Sequence, residues 1–318
     1  MRVVVIGGTG HIGTYLTPRL VQAGHEVVCV SRGMKTPYRD NAAWKSVKNL
    51  FLDRDAEERA ASFGEKIAAL DSQVVIDLTC YLPESASQLA ESLKGRVEHL
   101  LHCGTIWVHG HSSIVPTAED APRAPFGEYG IRKAAIEQYL LGLSRLKGLP
   151  VTILHPGHLV GTGWNPVNPQ GNFNPAVFTA LARGETIVLP NIGMETLHHV
   201  HADDVSMAFL QAMARRSTSV GEAFHIVSAA ALTMRGYAQR MAEWFGTQAD
   251  LKFQPWEMWK TTASERDAQH TWDHIAHSPH CSISKAQQLL QYRPRYSSLE
   301  AIQESVADME RRGVVLSK

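Results

Sequence analysis

Apolar residues recur along the first half of the chain in two rhythms. Short β-branched runs, as in Val3-Val4-Val5-Ile6, alternate with longer stretches in which apolar positions return every three or four residues, as in Ile12, Leu16, Leu20 and Val21. The short runs predict buried strands near 2–6, 26–30, 48–53, 73–78, 97–103 and 151–155. The periodic stretches predict helices near 11–23, 56–70, 83–95 and 128–147. Pro83 suits the first turn of a helix, and Gly148-Leu149-Pro150 ends another. Alternation of this kind demands right-handed crossovers, so the expected fold class is α/β with a doubly wound parallel sheet.

After His155 the texture changes. Residues 156–175 hold Pro156, Pro166, Pro169 and Pro175 with Gly157, Gly161, Gly163 and Gly171, which predicts a long irregular segment of the kind that carries function. A helix near 174–183 and a strand near 186–190 follow. The stretch from His198 to Val205 leads into a helix ending near 215, and Phe224-His225-Ile226-Val227 reads as one more strand. The remainder is mainly helical and contains Trp244, Trp256, Trp259 and Trp272, which read as small-domain core.

Composition narrows the class. The 318 residues are 44% hydrophobic and 19% charged, as in an ordinary soluble enzyme, and no apolar run reaches membrane-spanning length. The formal net charge is zero, which argues against a nucleic-acid surface because such a surface needs basic side chains to replace counterions. Cys29, Cys80, Cys103 and Cys281 form no CxxC pair and read as buried thiols in a reducing compartment. With the first strand starting at residue 2, leaving no room for a signal peptide, a cytoplasmic location is expected.

The first strand runs into Gly7-Gly8-Thr9-Gly10-His11-Ile12-Gly13. A phosphate approaches backbone only where side chains are absent, and the following helix start offers unpaired amides and partial positive charge. A dinucleotide is therefore expected here, its pyrophosphate against Gly7, Thr9, Gly10, His11, Ile12 and Gly13. Enzymes preferring NAD place an acid at the end of the second strand; this chain has Ser31-Arg32-Gly33, with Lys35 and Arg39 nearby. Arg32 and Ser31 suit a 2′-phosphate, so NADP is the favoured cofactor and NAD the alternative, held loosely if Arg32 is only a solvated charge. Asp53 and Arg54 at the third strand's end, and Leu78, Thr79 and Cys80 at the fourth's, are candidates to line the cofactor or simply to pack strand ends. Residues 1–160 plus about 197–230 are then the dinucleotide-binding domain. About 161–196 plus 231–318 make a smaller, mainly helical C-terminal substrate domain over the sheet's carboxyl edge.

Tyr129 and Lys133 stand four apart on a predicted helix and share a face. A phenol titrates near pH 10, so acid–base work near neutrality requires lowering it by roughly three units, which a neighbouring Lys⁺ and a positive nicotinamide favour. The pair follows the fifth strand and Thr105-Ile106-Trp107-Val108-His109-Gly110. With the glycine turn, Pro156-Gly157, Val200 to Val205, Ser284-Lys285-Ala286 and Tyr292-Arg293-Pro294, the chain resembles, nearly end to end, the extended short-chain dehydrogenases/reductases of the epimerase/dehydratase branch, which have a Rossmann sheet. The resemblance implies roles. Tyr129 exchanges a proton with a substrate hydroxyl or carbonyl, Thr105 hydrogen-bonds the same oxygen, and Lys133 holds the nicotinamide ribose and lowers the phenol's pKa. Pro156, Gly157 and His158 lie beside the nicotinamide. Tyr81, Trp107, His109, His158 and Asn172 are the candidate substrate contacts.

Two departures from the family pattern matter. Where relatives acting on nucleotide sugars usually carry Asn, the chain has His158, and where they carry a diphosphate-binding Arg it has Leu197, leaving Arg183 or Arg235 to compensate. Glu128 is the one carboxylate beside the tyrosine for dehydration chemistry, and it also suits a helix start. The chain has 16 His; His109, His111, His155 and His158 are placed near the active site, and His270, His274 and His277 stand at helical spacing that a zinc ion could share, with no fourth ligand evident, so no metal is expected. The leading reading is an oxidoreductase or epimerase acting on a sugar-like or other hydroxyl/keto small molecule. The alternatives are a UDP-glucose 4-epimerase-like nucleotide-sugar epimerase and, from another class, a non-catalytic NADP-sensing or RNA-binding relative. The resemblance also implies a homodimer through helices 83–95 and 128–147, and neither nucleic acid nor membrane is expected as a partner.

Overall fold

The structure, a computed structural model, describes residues 1–316. Seven parallel strands form the main sheet: Arg2–Ile6 (β1), Glu26–Ser31 (β2), Lys48–Phe51 (β3), Val74–Asp77 (β4), His99–Cys103 (β5), Val151–Pro156 (β6) and, after further short strands, Ala223–Ile226. The short strands are His158–Val160 (β7), Thr186–Pro190 (β8), Thr196–Leu197 (β9) and His199–His201 (β10), so the seventh sheet strand is β11; Leu232–Thr233 (β12) and Asp250–Gln254 (β13) follow. The sheet order is β11-β6-β5-β4-β1-β2-β3, and the break in direction between β1 and β4 opens a crevice at the strands' carboxyl ends.

Helices His11–Gln22 (α1), Arg54–Arg59 (α2), Phe63–Ala68 (α3), Pro83–Leu93 (α4) and Gly127–Lys147 (α5) link the first six strands. Ala176–Arg183 (α6), Ala202–Ala214 (α7), Arg216–Ser219 (α8), Met234–Trp244 (α9), Trp256–Trp259 (α10), Glu265–His277 (α11), Ser284–Leu290 (α12) and Ser298–Arg311 (α13) complete the chain. One face of the sheet packs on α1 and α7 through Leu16, Leu20, Val205 and Phe209. The other packs on α3, α4 and α5 through Phe63, Leu89, Ile136 and Leu140. A third core, separate from the sheet, gathers Phe178, Leu189, Tyr237, Met241 and Ile302 from residues 160–315. The doubly wound parallel sheet and the mainly helical C-terminal region are therefore as the sequence predicts.

Two differences have physical causes. The helix expected over 56–70 is two helices. The chain turns at Ala61, in the left-handed region at φ 54°, where Ser62 N–H donates back to the Glu57 carbonyl and frees Phe63 to enter the core. Within the segment after His155, the expected strand near 186–190 forms as β8 and pairs with β13, while β7 pairs in parallel with β10. β7 and β10, three residues each, carry too short a pattern to read against a helix or loop.

Candidate active site

The glycine turn and the ends of β2, β3 and β4 enclose a cleft of about 450 Å³. Gly7 takes φ +83°, a left-handed conformation that favours glycine. A Cβ on Gly13 would sit 2.3 Å from the Gly8 carbonyl oxygen, so only glycine lets α1 press this close to the loop. Gly10 caps α1 with no side-chain hydrogen bond, leaving the first amides of the helix free for an anion. Gly7, Thr9, Gly10, His11, Ile12, Gly13, Ser31, Arg32, Asp53, Arg54, Leu78 and Thr79 all line the cleft, joined by Lys35, Tyr38 and Tyr81. The wall fits a dinucleotide: backbone amides at one end, and Arg32 and Lys35 at the end of β2.

Several side chains are spoken for. Arg54 is ion-paired to Asp77 (2.9 Å) and Glu58 (2.6 Å), so its charge belongs to the sheet edge rather than to a cofactor phosphate. Asp53 caps α2 by accepting from Ala56 N–H at 3.3 Å. The Cys80 thiol is buried toward the Leu82 carbonyl and does not face the cleft, and burial raises its pKa to about 12. Arg39 lies over the Tyr15 ring, 5.5 Å from its centroid, which removes it from the positive charge expected around Arg32. Trp164, from the irregular segment, stacks on His11 with centroids 4.7 Å apart and closes the cleft with Tyr38. The sequence reading missed both; the only signal was an aromatic residue inside a Gly/Pro-rich stretch.

Tyr129, Lys133 and Thr105 meet where β4 and β5 end. Lys133 is 3% exposed, and its ammonium donates to the Cys80 carbonyl (2.7 Å) and the Cys103 carbonyl (2.8 Å), leaving one N–H of three. Its amine also lies over the Tyr81 ring at 5.1 Å. Burial lowers the Lys133 pKa. Tyr129 is 42% exposed, with its ring edge-on to Trp107 (5.9 Å), and the Thr105 hydroxyl faces its phenol. Burial pushes that phenol above its usual range, with Thr105 pulling the other way. Lys133 thus spends two of its donors on strand-end carbonyls and keeps one beside the phenol's site. Pro156 ends β6, and Gly157 N–H continues the ladder to the Ile226 carbonyl at 3.2 Å.

Beyond the phenol stands a wall of aromatic rings and imidazoles. Trp107 stacks on His277 (4.2 Å) and meets His274 (5.2 Å) and His158 (6.4 Å) edge-on. His158 also contacts His199 (5.4 Å), and Phe173 borders His274 (5.8 Å). Burial lowers the pKa of His274 and His277 to about 4 and of His199 to about 3, and it holds His158 well below its ordinary value with His274 adding to the shift. The wall is therefore uncharged at neutral pH. Both ring nitrogens of His158 are buried without a partner, as is Nε2 of His277. The zinc grouping does not form: His274 and His277 spend Nδ1 on the carbonyls of His270 and Asp273, each at 2.6 Å, along their own helix.

Other expected contacts lie elsewhere. His109 is 6% exposed and bonded to His225 (2.7 Å) beneath the site, so it does not face a substrate. His111 bonds the Ala276 carbonyl at 2.7 Å. Asn172 braces its own loop, accepting from Asn168 (2.6 Å) and donating to Thr271 (3.1 Å), and is 1% exposed. Arg183 lies 3.9 Å from Glu185, and Arg235 lies over the Phe253 ring. Glu128 is paired with Arg132 on the exposed side of α5. His274 and His277 are the site residues that the sequence reading assigned to a different purpose; their spacing was visible, but not the rings they would meet.

The family model for the NAD dependent epimerase/dehydratase family matches residues 3–226. The chloroplast stem-loop binding protein of 41 kDa b of Arabidopsis thaliana is 24% identical over 315 residues, covering 96% of this chain and 78% of that protein. The UDP-glucose 4-epimerase of Mycolicibacterium smegmatis is 29% identical over 232 residues, covering 67% of this chain and 73% of that protein. The crystal structure of a UDP-glucose 4-epimerase with UDP-glucose from Thermotoga maritima superposes with a TM-score of 0.75 at 22% identity, over 98% of this chain and 99% of that one.

Proposed function

The chain belongs to the NAD dependent epimerase/dehydratase family, a family of enzymes, and from that premise we propose that it is an NADP-linked oxidoreductase or epimerase of a hydroxyl/keto small molecule that carries no diphosphate. The observation that supports the chemistry is the Tyr129 phenol, faced by the Thr105 hydroxyl and flanked by the buried Lys133. Tyr129 takes or returns the proton of the substrate hydroxyl, Thr105 shares the same oxygen, and Lys133 turns its remaining N–H to the cofactor ribose. A bound nicotinamide would accept the hydride and, when oxidised, favour the phenolate by its positive charge. The substrate class is inferred from the wall: Trp107, Phe173 and uncharged imidazoles with unpartnered nitrogens suit hydroxyl groups, and Leu197 stands where nucleotide-sugar relatives carry a diphosphate-binding Arg.

The test is titration and turnover on the full chain. NADP⁺ is expected to bind more tightly than NAD⁺, and free sugars, polyols or their keto forms are expected to exchange hydride with it. Turnover of UDP-sugars in preference to these would overturn the substrate class, and Tyr129→Phe with undiminished turnover would overturn the chemistry. The Arabidopsis relative's name supports a second reading, binding of an RNA stem-loop. A net charge of zero gives that reading little electrostatic drive, and a salt-sensitive gel shift with a stem-loop RNA would favour it. The side-by-side packing of α4 and α5, with Ile131 exposed on α5, supports a homodimer through these helices. Light scattering that returned a monomer would refute it.

A further inference from the structure

Tyr129, Lys133 and Glu137 follow one another at four-residue steps, so they form a stripe on one face of α5. The first two reach the active site. Glu137 is 5% exposed and points below it, gripped by Arg123 through two hydrogen bonds of 3.0 and 2.6 Å. Its Oε1 lies 3.3 Å from Nε2 of His155, a fully buried ring on β6. The other nitrogen of that ring, Nδ1, accepts the backbone N–H of Thr105 at 2.8 Å. An Nδ1 that accepts cannot hold the proton, so the neutral ring carries it on Nε2, on the side of the carboxylate. The contact depends on a bare backbone: a Cβ on Gly104 would sit 2.2 Å from His155 Nδ1. The Thr105 oxygen is itself held by accepting from Trp107 N–H at 3.3 Å.

We propose that Glu137 and His155 are positioning residues which tie the Thr105 loop to the helix carrying Tyr129, so that hydroxyl and phenol are set against the same substrate oxygen. The proposal rests on the reading of Tyr129 and Thr105 given above and adds two residues that touch neither substrate nor cofactor. The carboxylate anchors the ring, the ring's fixed tautomer anchors the amide, and the amide fixes the side chain that follows. Arg123 neutralises Glu137 from the other side, so the buried anion is paired. Burial alone would raise the Glu137 pKa, but the Nε2–H of His155 and the Arg123 guanidinium beside the carboxylate hold it well below the usual range. The groups facing the ring are Glu137, His102, His109, His225 and, more distantly, Glu119; those facing the phenol are Thr105, Cys103 and Tyr81.

The test is substrate-free. In full-length protein saturated with NADP⁺, the ionisation of Tyr129 is followed by ultraviolet difference absorbance against Tyr129→Phe. Thr105→Val removes a hydrogen bond to the phenolate and should raise its apparent pKa by about one unit. His155→Leu should raise it by a similar amount, and Thr105→Val with His155→Leu should add nothing to Thr105→Val alone. His155→Asn, whose side-chain oxygen can replace Nδ1 as acceptor, should stay near wild type even where His155→Leu folds poorly. Additive shifts, or an unmoved phenol in His155→Leu that still binds NADP⁺, would overturn the positioning role. Absence of any phenol ionisation below pH 10 in the wild-type complex is a different result: it would remove the acid–base reading itself.

Discussion

The glycine-lined cleft and the wall of rings packed around Trp107 are built by opposite means. The cleft is mostly backbone. Its glycines, helix start and strand ends come from contiguous segments, and Arg32 and Lys35 bring exposed positive charge to the end of β2. The wall is almost all side chain. Trp107, Tyr129, His158, Phe173, His274 and His277 arrive from five separate elements or loops, and their imidazoles are buried neutral. Backbone recognition suits a ligand whose phosphate geometry is invariant. A wall of neutral acceptors suits one that must be oriented without being held by charge.

The sharpest break in that comparison is at Tyr129. Tyr129→Phe keeps the ring against Trp107 and removes only the phenol oxygen. Turnover should fall by about 10²–10⁴, the usual contribution of a positioned acid or base, while NADP⁺ affinity changes by less than about twofold. Equal losses in turnover and cofactor binding would mean that the two regions are not separable at this point.

Acid should destabilise the wall, and with it His11 in the cleft, whose pKa burial lowers to about 3. His274 and His277 have folded pKa values of about 4, below the ordinary imidazole value of 6.5. A base with a depressed folded pKa binds fewer protons in the fold than in the unfolded chain. Stability is therefore complete above about pH 6.5 and is lost as pH falls from there toward 4. At pH 5 each such imidazole costs about 2 kcal/mol, and His199, with a folded pKa of about 3, adds to the same slope. The denaturation midpoint should drop steeply between pH 7 and 5, and replacing His274 and His277 by Gln should flatten the slope. A midpoint that is constant over this range would contradict the burial of these rings in neutral form.

The same contrast explains what could be read from the chain. The six strands up to Pro156 and the glycine turn were legible because each is written in a contiguous pattern: a β-branched run, a turn, a helical period. His274 and His277 were visible as a pair, but their meaning depends on Trp107, some 170 positions earlier, and no local pattern encodes that meeting. Asn172 misled for a related reason: it is the right type in the right segment, yet its own loop and Thr271 have already taken it. Gly13 tests the legible half: the 2.3 Å clash of an added methyl with the Gly8 carbonyl must move backbone, so Gly13→Ala should cost about 1–3 kcal/mol of stability and weaken NADP⁺ binding while leaving the imidazole wall's pH response unchanged. Retention of full cofactor affinity would show that the helix can retreat without loss.

The smallest expected effect probes the positive charge at the end of β2. Arg32 is exposed at the end of β2, and Ser31 beside it accepts from Gly33 N–H at 3.2 Å, which leaves the serine hydroxyl's proton free to donate. A 2′-phosphate would be met by guanidinium and hydroxyl together; a 2′-hydroxyl would gain little from either. Exposure weakens the pair, because solvent screens a charge at the protein surface. Arg32→Ala should therefore lower NADP⁺ affinity by about tenfold, close to 1.4 kcal/mol, and leave NAD⁺ affinity nearly unchanged. An equal loss for both cofactors would place Arg32 on the shared pyrophosphate or adenosine instead. A wild-type protein that already binds NAD⁺ more tightly would make the cleft indifferent to charge at this edge, and its selectivity would then have to come from backbone shape alone.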